Sequence, residues 1–271
     1  MKLCVLGSGS RGNAILIQAG ATRILVDAGF ATRTMARRLG SIGVDPASIS
    51  GVIVTHEHAD HAKGAAAAAA RWGWHVFATR GTTAASLSLS RATVQTILSS
   101  GSFRIGDIEL TTVGTSHDAD EPIGVVASCP VTGLRAAIVY DLGVITEAVQ
   151  QALAGVNVLV LESNHDLAML RSGPYPISLQ RRIASRHGHL SNQAAGRAAA
   201  RCSHPGLAHV VLAHLSEINN TPAVATEAMR QALARTQFRG AVTAANQDAP
   251  SATISAIRAW RFGSDQLSLG L

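Results

Sequence analysis

Hydrophobic and polar positions along this chain fall into two regimes: short runs dense in Val, Ile and Leu, and alanine-rich stretches with helical spacing. The first half supplies the runs "KLCVLG", "AILIQ", "TRILVDAG" and "GVIVTH", each read as a strand. A helix through "AKGAAAAAARWG" follows, then a strand "HVFAT" and a helix from Thr82. Strands are expected in "FRIGDIELTTVGTSH", turning at "GD", and in "IGVVASC" and "LRAAIVYD" on either side of the turn "PVTG".

After Asp141 the pattern becomes strand–helix alternation. A helix is expected over Thr146–Ala154, and "VNVLVLES" reads as a strand buried on both faces. "SLQRRIASRHG" predicts a helix closed by glycine, and "SNQAAGRAAARC" a helix capped by Ser191. "HVVLAHLS" is a further strand, "TPAVATEAMRQALART" a helix with proline in its first turn, and short strands finish the chain. Two strand-rich halves, each with its own helices, predict two sheets face to face with helices outside. That is an α/β four-layer αββα sandwich. No Pro/Ser linker divides the chain, so residues 1–271 read as a single domain with no inserted cap domain.

Composition agrees with a buried core. Hydrophobic residues make up 47% of the 271 positions and charged residues 15%, which disfavours disorder. No apolar run approaches the roughly 18–20 residues needed to cross a bilayer, so no membrane association is expected. The opening "MKLCVLGSGSRGN" has too brief an apolar stretch for a secretion signal and suits a buried first strand. Cys4, Cys129 and Cys202 show neither metal-knuckle spacing nor a disulfide framework, which fits a reducing cytoplasm. Oligomeric state stays open, and a homo-oligomer is compatible with the chain. Net charge is +6, carried almost wholly by arginine, since Lys2 and Lys63 are the only lysines. Arginine suits bidentate phosphate recognition, although a bias toward alanine and arginine codons explains the same excess.

The candidate chemistry lies in "THEHADHAKG", directly after the apolar run "GVIV". His56 and His58 leave a strand spaced so that both imidazoles face one side, while Asp60 and His61 sit at the start of the next helix. Imidazole and carboxylate suit zinc, manganese or iron, and as plain core each group would need its own hydrogen-bond partner. Remote ligands should come from other strand ends. His117, Asp141 and His214 share the context of His56: apolar strand, then ligand, then loop.

"THEHADH", "TSHDADEP", "YDLG" and "LAHLS" resemble successive metal motifs of the metallo-β-lactamase fold. "SGSRGN", "LVDAGF", "LESNHDLAMLRSGPYPISLQRRIASRHGHLSN" and "HLSEINN" are similar to the YycJ/WalJ-type metallohydrolases, and the likeness covers nearly the whole chain. It departs from that pattern at Leu142, where threonine is common, and at Arg11, where many relatives have serine. The resemblance implies a dinuclear-metal phosphodiesterase or nuclease, with 5′-to-3′ exonuclease activity on DNA or RNA, so the expected partner is nucleic acid as substrate. In that scheme His56, His58 and His117 hold one ion, Asp60, His61 and His214 the second, and Asp141 bridges them. A hydroxide shared by the two ions is the nucleophile, and the histidine-rich donor set suits Mn²⁺ or Zn²⁺ better than Mg²⁺.

Several residues carry two readings each. Asp27 supports the ligand loop or merely forms an Asp-Ala-Gly turn. His189 in "GHLSN" acts on the substrate, as a general acid matching the catalytic histidine of the tRNA-processing relatives it resembles or as a phosphate hydrogen-bond donor, or it is only a helix-entry residue beside the Ser191 cap. Glu162 orients His189 or a metal ligand, counting with Asp60 among the catalytic candidates, and His165 is a further ligand or a substrate contact, or either is a satisfied polar group in a buried loop. Tyr175 stacks on a base or packs under its loop. Ser10 and Asn13 in "GSGSRGN", together with Asn192, contact substrate phosphate, or the glycine run is an ordinary tight turn. His75, His204 and His209 read as structural, and Arg181, Arg182 and Arg186 line a backbone-binding groove or a solvated helix face. A metal-dependent nuclease leads. A small cyclic phosphodiesterase and a non-catalytic nucleic-acid-binding regulator are the alternatives.

Overall fold

A computed structural model describes residues 1–255, and the end of the expected single domain, residues 256–271, lies outside them. Strands β1 (Lys2–Gly7), β2 (Ala14–Ala19), β3 (Thr22–Val26), β4 (Gly51–Ile53), β5 (His75–Ala78) and β6 (Val94–Thr96) belong to one sheet, with β14 (Ile254–Ser255) paired to β1 at its edge. The second sheet holds β7 (Gly101–Ile105), β8 (Ile108–Gly114), β9 (Ile123–Cys129), β10 (Leu134–Val139), β11 (Val158–Glu162), β12 (His209–Ala213) and β13 (Ala241–Ala244) in spatial sequence. Helices α1 (Thr32–Ser41), α2 (Ala59–Ala62), α3 (Ala65–Trp72) and α4 (Arg80–Ala85) accompany the first sheet in the chain. Helices α5 (Glu147–Ala152), α6 (Leu167–Ser172), α7 (Ile177–Ile183), α8 (Asn192–Arg201) and α9 (Pro222–Leu233) accompany the second.

The period-two geometry of a strand explains why these apolar runs make four layers. Leu3 and Val5 of β1, Ile15 and Ile17 of β2, and Val158 and Val160 of β11 join one central cluster between the sheets. Their neighbours point the other way. Cys4, Leu6 and Leu16 pack with Met35 and Leu39 of α1 and Ala65 and Ala68 of α3. Leu159 and Leu161 pack with Ala195 and Ala199 of α8 and Met229 of α9. A strand apolar at every position therefore feeds two cores at once, and each fully buried aliphatic side chain contributes roughly 1.5–3 kcal/mol. The expected αββα architecture is borne out.

Element boundaries differ where close packing intervenes. The helix expected through "AKGAAAAAARWG" is two helices: at the break Gly64 N–H donates to the Ala28 carbonyl (2.8 Å) instead of continuing the helix, and a Cβ at Gly64 would lie 2.0 Å from the Phe30 carbonyl oxygen. The helix expected to run to Gly188 ends at Ile183, and a turn with His189 N–H donating to the Ile183 carbonyl (2.8 Å) brings the chain back. The helix expected from Thr82 begins at Arg80, capped by the Thr79 hydroxyl. Helices α1 and α6 and strand β6 have no counterpart in the sequence-based expectation.

Within the sheets, β3 to β6 run parallel, as do β10 to β13. The loops after β3, β4, β10, β11 and β12 meet on one rim, the usual place for a site in a parallel sheet.

Candidate metal centre

Three residues on this rim stand in left-handed backbone geometry without being glycine: Asp27 (φ 63°), Asp141 (φ 52°) and His214 (φ 52°). Each follows a strand of the parallel regions. An L-residue there costs roughly 1–3 kcal/mol, so each side chain is held at its strand end against local preference.

Six imidazoles share the space this creates. Ring centroids of His56 lie 4.6 Å from His58, 4.1 Å from His61 and 5.2 Å from His117. His189 is 5.2 Å from both His117 and His214. Donor atoms of His56, His58 and His117 fall within 4.8 Å of one another, as do those of Asp60, His61 and His214. Asp141 joins His56 and His61 in a third such group, and Glu162, His189 and His214 in a fourth.

The contacts inside this cluster fit a cation better than the protein's own hydrogens. Buried His56 Nε2 has no hydrogen-bond partner among the described residues, and neither does Asp141 Oδ2. Asp141 Oδ2 lies 2.9 Å from His61 Nε2 but without hydrogen-bond geometry. An orphaned buried polar atom costs roughly 1–3 kcal/mol, and a shared cation removes that cost at both atoms. Without it, protons fill the role. His61 is held well above the ordinary histidine range, burial opposing and the carboxylates of Asp141 and Asp27 prevailing. His214 is pushed up to about 10, burial again opposing and Asp141, Asp60 and Glu162 prevailing. His56 is pushed well down by burial and by neighbouring His61. Metal binding displaces such protons, so this donor set supports divalent metal binding.

Two buried carboxylates hold the imidazoles in place. Asp27 accepts from Thr55 N (2.7 Å), Thr55 Oγ1 (2.8 Å), Tyr140 OH (2.7 Å) and His61 Nδ1 (2.6 Å), which turns His61 Nε2 toward Asp60 and Asp141. Glu162 Oε1 accepts from His189 Nδ1 (2.8 Å) and His214 Nδ1 (3.1 Å). Its Oε2 accepts from the amides of Leu142 (3.1 Å) and Leu190 (3.0 Å). Glu162 is held down to about 2, burial opposing and His189 and His214 prevailing. The threonine-to-leucine departure at Leu142 costs this network nothing, because only its amide is used.

A cleft of about 250 Å³ opens onto the cluster, lined on the metal side by Ser10, His58, Asp60, His117, Asp141, His189 and His214. Its other wall is α7 with Leu179, Arg182 and Ile183, plus Asp118, whose carboxylate pairs with Arg182 and lies 3.3 Å from His117 Nε2. Sequence reasoning passed over Asp118, Thr55 and Tyr140. All three adjoin ligand candidates in the motifs "THEH", "SHDAD" and "VYDLG", which was the available signal.

Four of the expected substrate contacts sit elsewhere. Asn13 is buried, its Oδ1 accepting from Ser8 Oγ and Gly9 N and its Nδ2 near His61 Nε2 and Asp60. The amides of Gly9, Arg11, Gly12 and Asn13 are likewise spent on Asn13, Gln247, Gly9 and Asp60, so the glycine run is a brace rather than an anion nest. Asn192 is buried and bonded to Ser163 and Asn220. His165 is buried with Nδ1 unpartnered among the described residues, and burial pushes its pKa down. Tyr175 is half-buried in the turn before α7 and is absent from the cleft lining. Arg11 is drawn away by Glu217 and Asp248.

Residues 22–215 match the family described as the beta-lactamase superfamily domain. The chain is 36% identical to the exodeoxyribonuclease YycJ of Bacillus anthracis over 238 residues, covering 86% of this chain and 89% of that protein. It is 30% identical to the exodeoxyribonuclease WalJ of Streptococcus pneumoniae over 240 residues, covering 86% and 88%. The crystal structure of the metallo-β-lactamase fold protein YhfI from Bacillus subtilis superposes with a TM-score of 0.67 at 16% identity, covering 92% of this chain and 98% of that one. With the ligand cluster on its strand-end rim, the chain belongs to the beta-lactamase superfamily and, within it, to the YycJ/WalJ family of metal-dependent hydrolases on the metallo-β-lactamase fold.

Proposed function

We propose that this hydrolase is a two-metal phosphodiesterase acting as a 5′-to-3′ exonuclease on DNA, with RNA as the alternative polymer, in the cytoplasm. The observation that carries it is the position of Asp141, whose carboxylate belongs to ligand groups on both sides of the cluster. His56, His58 and His117 would hold one cation and Asp60, His61 and His214 the other, with Asp141 within reach of both groups; Mn²⁺ and Zn²⁺ suit these donors. When bound, such a pair lowers the pKa of water and offsets charge on a phosphodiester's oxygens.

The protein's own part is positioning and proton supply. Glu162 occupies His189 Nδ1, which leaves the opposite nitrogen of the ring, unbonded among the described residues, for a proton transfer in the cleft that His189 lines. Burial opposes protonation of His189, but Glu162 outweighs it and holds the ring above its ordinary pKa. A protonated His189 donates to the leaving alkoxide. Asp27 keeps His61 in one orientation throughout. The names of the Bacillus anthracis and Streptococcus pneumoniae relatives support a DNA substrate.

Metal-loaded protein incubated with 5′- and 3′-labelled single- and double-stranded DNA and RNA tests this. Mononucleotide release from 5′ ends is expected. The compact cleft also suits a small phosphodiester, so bis-p-nitrophenyl phosphate is the comparison: inhibition of its turnover by DNA is expected. Intact nucleic acids under every metal, alongside turnover of that ester uninhibited by DNA, would replace the exonuclease with a small-molecule phosphodiesterase.

A further inference from the structure

The loop between β4 and α2 has a depression on each side. His58 and Asp60 line the metal cleft, whereas Glu57 and Ala59 line a neighbouring groove of about 480 Å³. Successive residues of one short segment thus face opposite ways, and the segment is a partition with the metal ligands on one face. Beyond it the groove is lined by Ala62 and Lys63 from the end of α2, and by Ser86, Leu87, Ser88 and Arg91 from the loop after α4.

The chemistry of this groove matches a polyanion with apolar bases. Lys63 is one of only two lysines in the chain. Lys63 and Arg91 are exposed, and neither enters a salt bridge among the described residues. Leu87, 69% exposed, is flanked in sequence by Ser86 and Ser88, whose hydroxyls are hydrogen-bonded to each other at 3.2 Å. The one acid of the lining, Glu57, has its Oε1 accepting from Asp120 N (2.9 Å) and its Oε2 buried without a partner among the described residues. A folded surface ordinarily places large apolar side chains singly and without purpose. Here the exposed leucine shares with two unpaired cations a groove that adjoins the metal cleft across one loop.

We infer that a single-stranded nucleic acid leaves the metal cleft over the 57–60 partition and lies in this groove, with Lys63 and Arg91 against its phosphates and Leu87 against a base. This rests on the nuclease reading above and adds what the cleft alone does not supply, a preference for long strands over small esters. Two exposed cations on phosphates predict a salt-dependent contribution to strand affinity.

The test uses metal-loaded full-length protein with K63E/R91E and L87S. Binding of a fluorescent phosphorothioate single strand is followed by anisotropy across a salt series, and kcat/KM is measured for a long strand and for bis-p-nitrophenyl phosphate. Strand affinity should fall about tenfold for the charge reversal, the salt slope should shallow by about one to two, and the strand-to-ester ratio of kcat/KM should fall with it. Unchanged affinity and slope, or an equal fall on both substrates, would overturn the groove. A wild-type protein that cleaves no strand would sink the exonuclease instead, and the anisotropy series would still decide the groove.

Discussion

Asp27 Oδ2 lies 2.6 Å from His61 Nδ1, and neither side chain has any exposure to solvent. The same carboxylate receives Thr55 twice and Tyr140 once, so one acid ties the ends of β3, β4 and β10 to a metal-facing ring. Asp27→Ala leaves several buried donors without an acceptor. We expect unfolding free energy to drop by about 3 kcal/mol and metal affinity to fall about 10–100-fold. Denaturant melts and competition with a chromophoric chelator measure the two losses. Wild-type values in both would reduce Asp27 to a turn residue.

Glu162 does for His189 and His214 what Asp27 does for His61. It divides two roles that a simple activity loss would confuse. His189→Ala should lower kcat by about 10²–10⁴ while bound metal per chain, read by atomic emission, stays at the wild-type value. Glu162→Gln should reduce both, since His214 loses its partner too. Should His189→Ala also empty the site of metal, His189 is a ligand and not the proton donor.

Much of this was legible in sequence because several apolar runs are followed within a few residues by a candidate ligand. His56, Asp141 and His214 could be found from apolar runs that stop at a side chain able to bind metal, and the sheets followed from the same runs. The partners of those ligands were harder. Thr55 and Tyr140 are ordinary residues until β3 is seen beside β4, with β10 reaching the same carboxylate from the opposite sheet. Asn13 misled for a related reason: a small polar side chain in a glycine run suggests an anion nest, but long-range bonds to Asp60 and His61 turn it inward. Helix α1 escaped because its apolar face is thin, with Met35 and Leu39 as its buried aliphatics.

Gly29 marks where the ligand loop meets the first sheet most closely. A Cβ there would lie 1.7 Å from the Asp60 carbonyl oxygen and 2.8 Å from Asn13 N, both backbone atoms that cannot swing aside. Gly29→Ala should therefore shift the Asp60–His61 turn and weaken the metal group it belongs to, with a visible loss in titrated metal. Gly40, near the end of α1, has nothing within 4 Å of its added Cβ. Gly40→Ala should stabilise by about 0.5–1 kcal/mol and leave metal content alone. Equal behaviour of the two variants would refute the steric account.

Cys202 offers a stability change outside the candidate metal centre. Burial beneath α8 pushes its thiol up to about 11 from an ordinary value of 9.0. Between those values the folded chain keeps a proton that the unfolded chain releases, so stability falls as pH rises. Protection is complete below pH 9, and about 3 kcal/mol is lost by the time pH passes the folded pKa. Cys202→Ala removes this titration at the cost of a small cavity, so the variant should be the less stable protein at pH 8, by about 1 kcal/mol. By pH 10 the gap should have closed or reversed. Guanidinium midpoints of both proteins at the two pH values decide it, and a constant gap would mean that the thiol ionises as readily folded as unfolded.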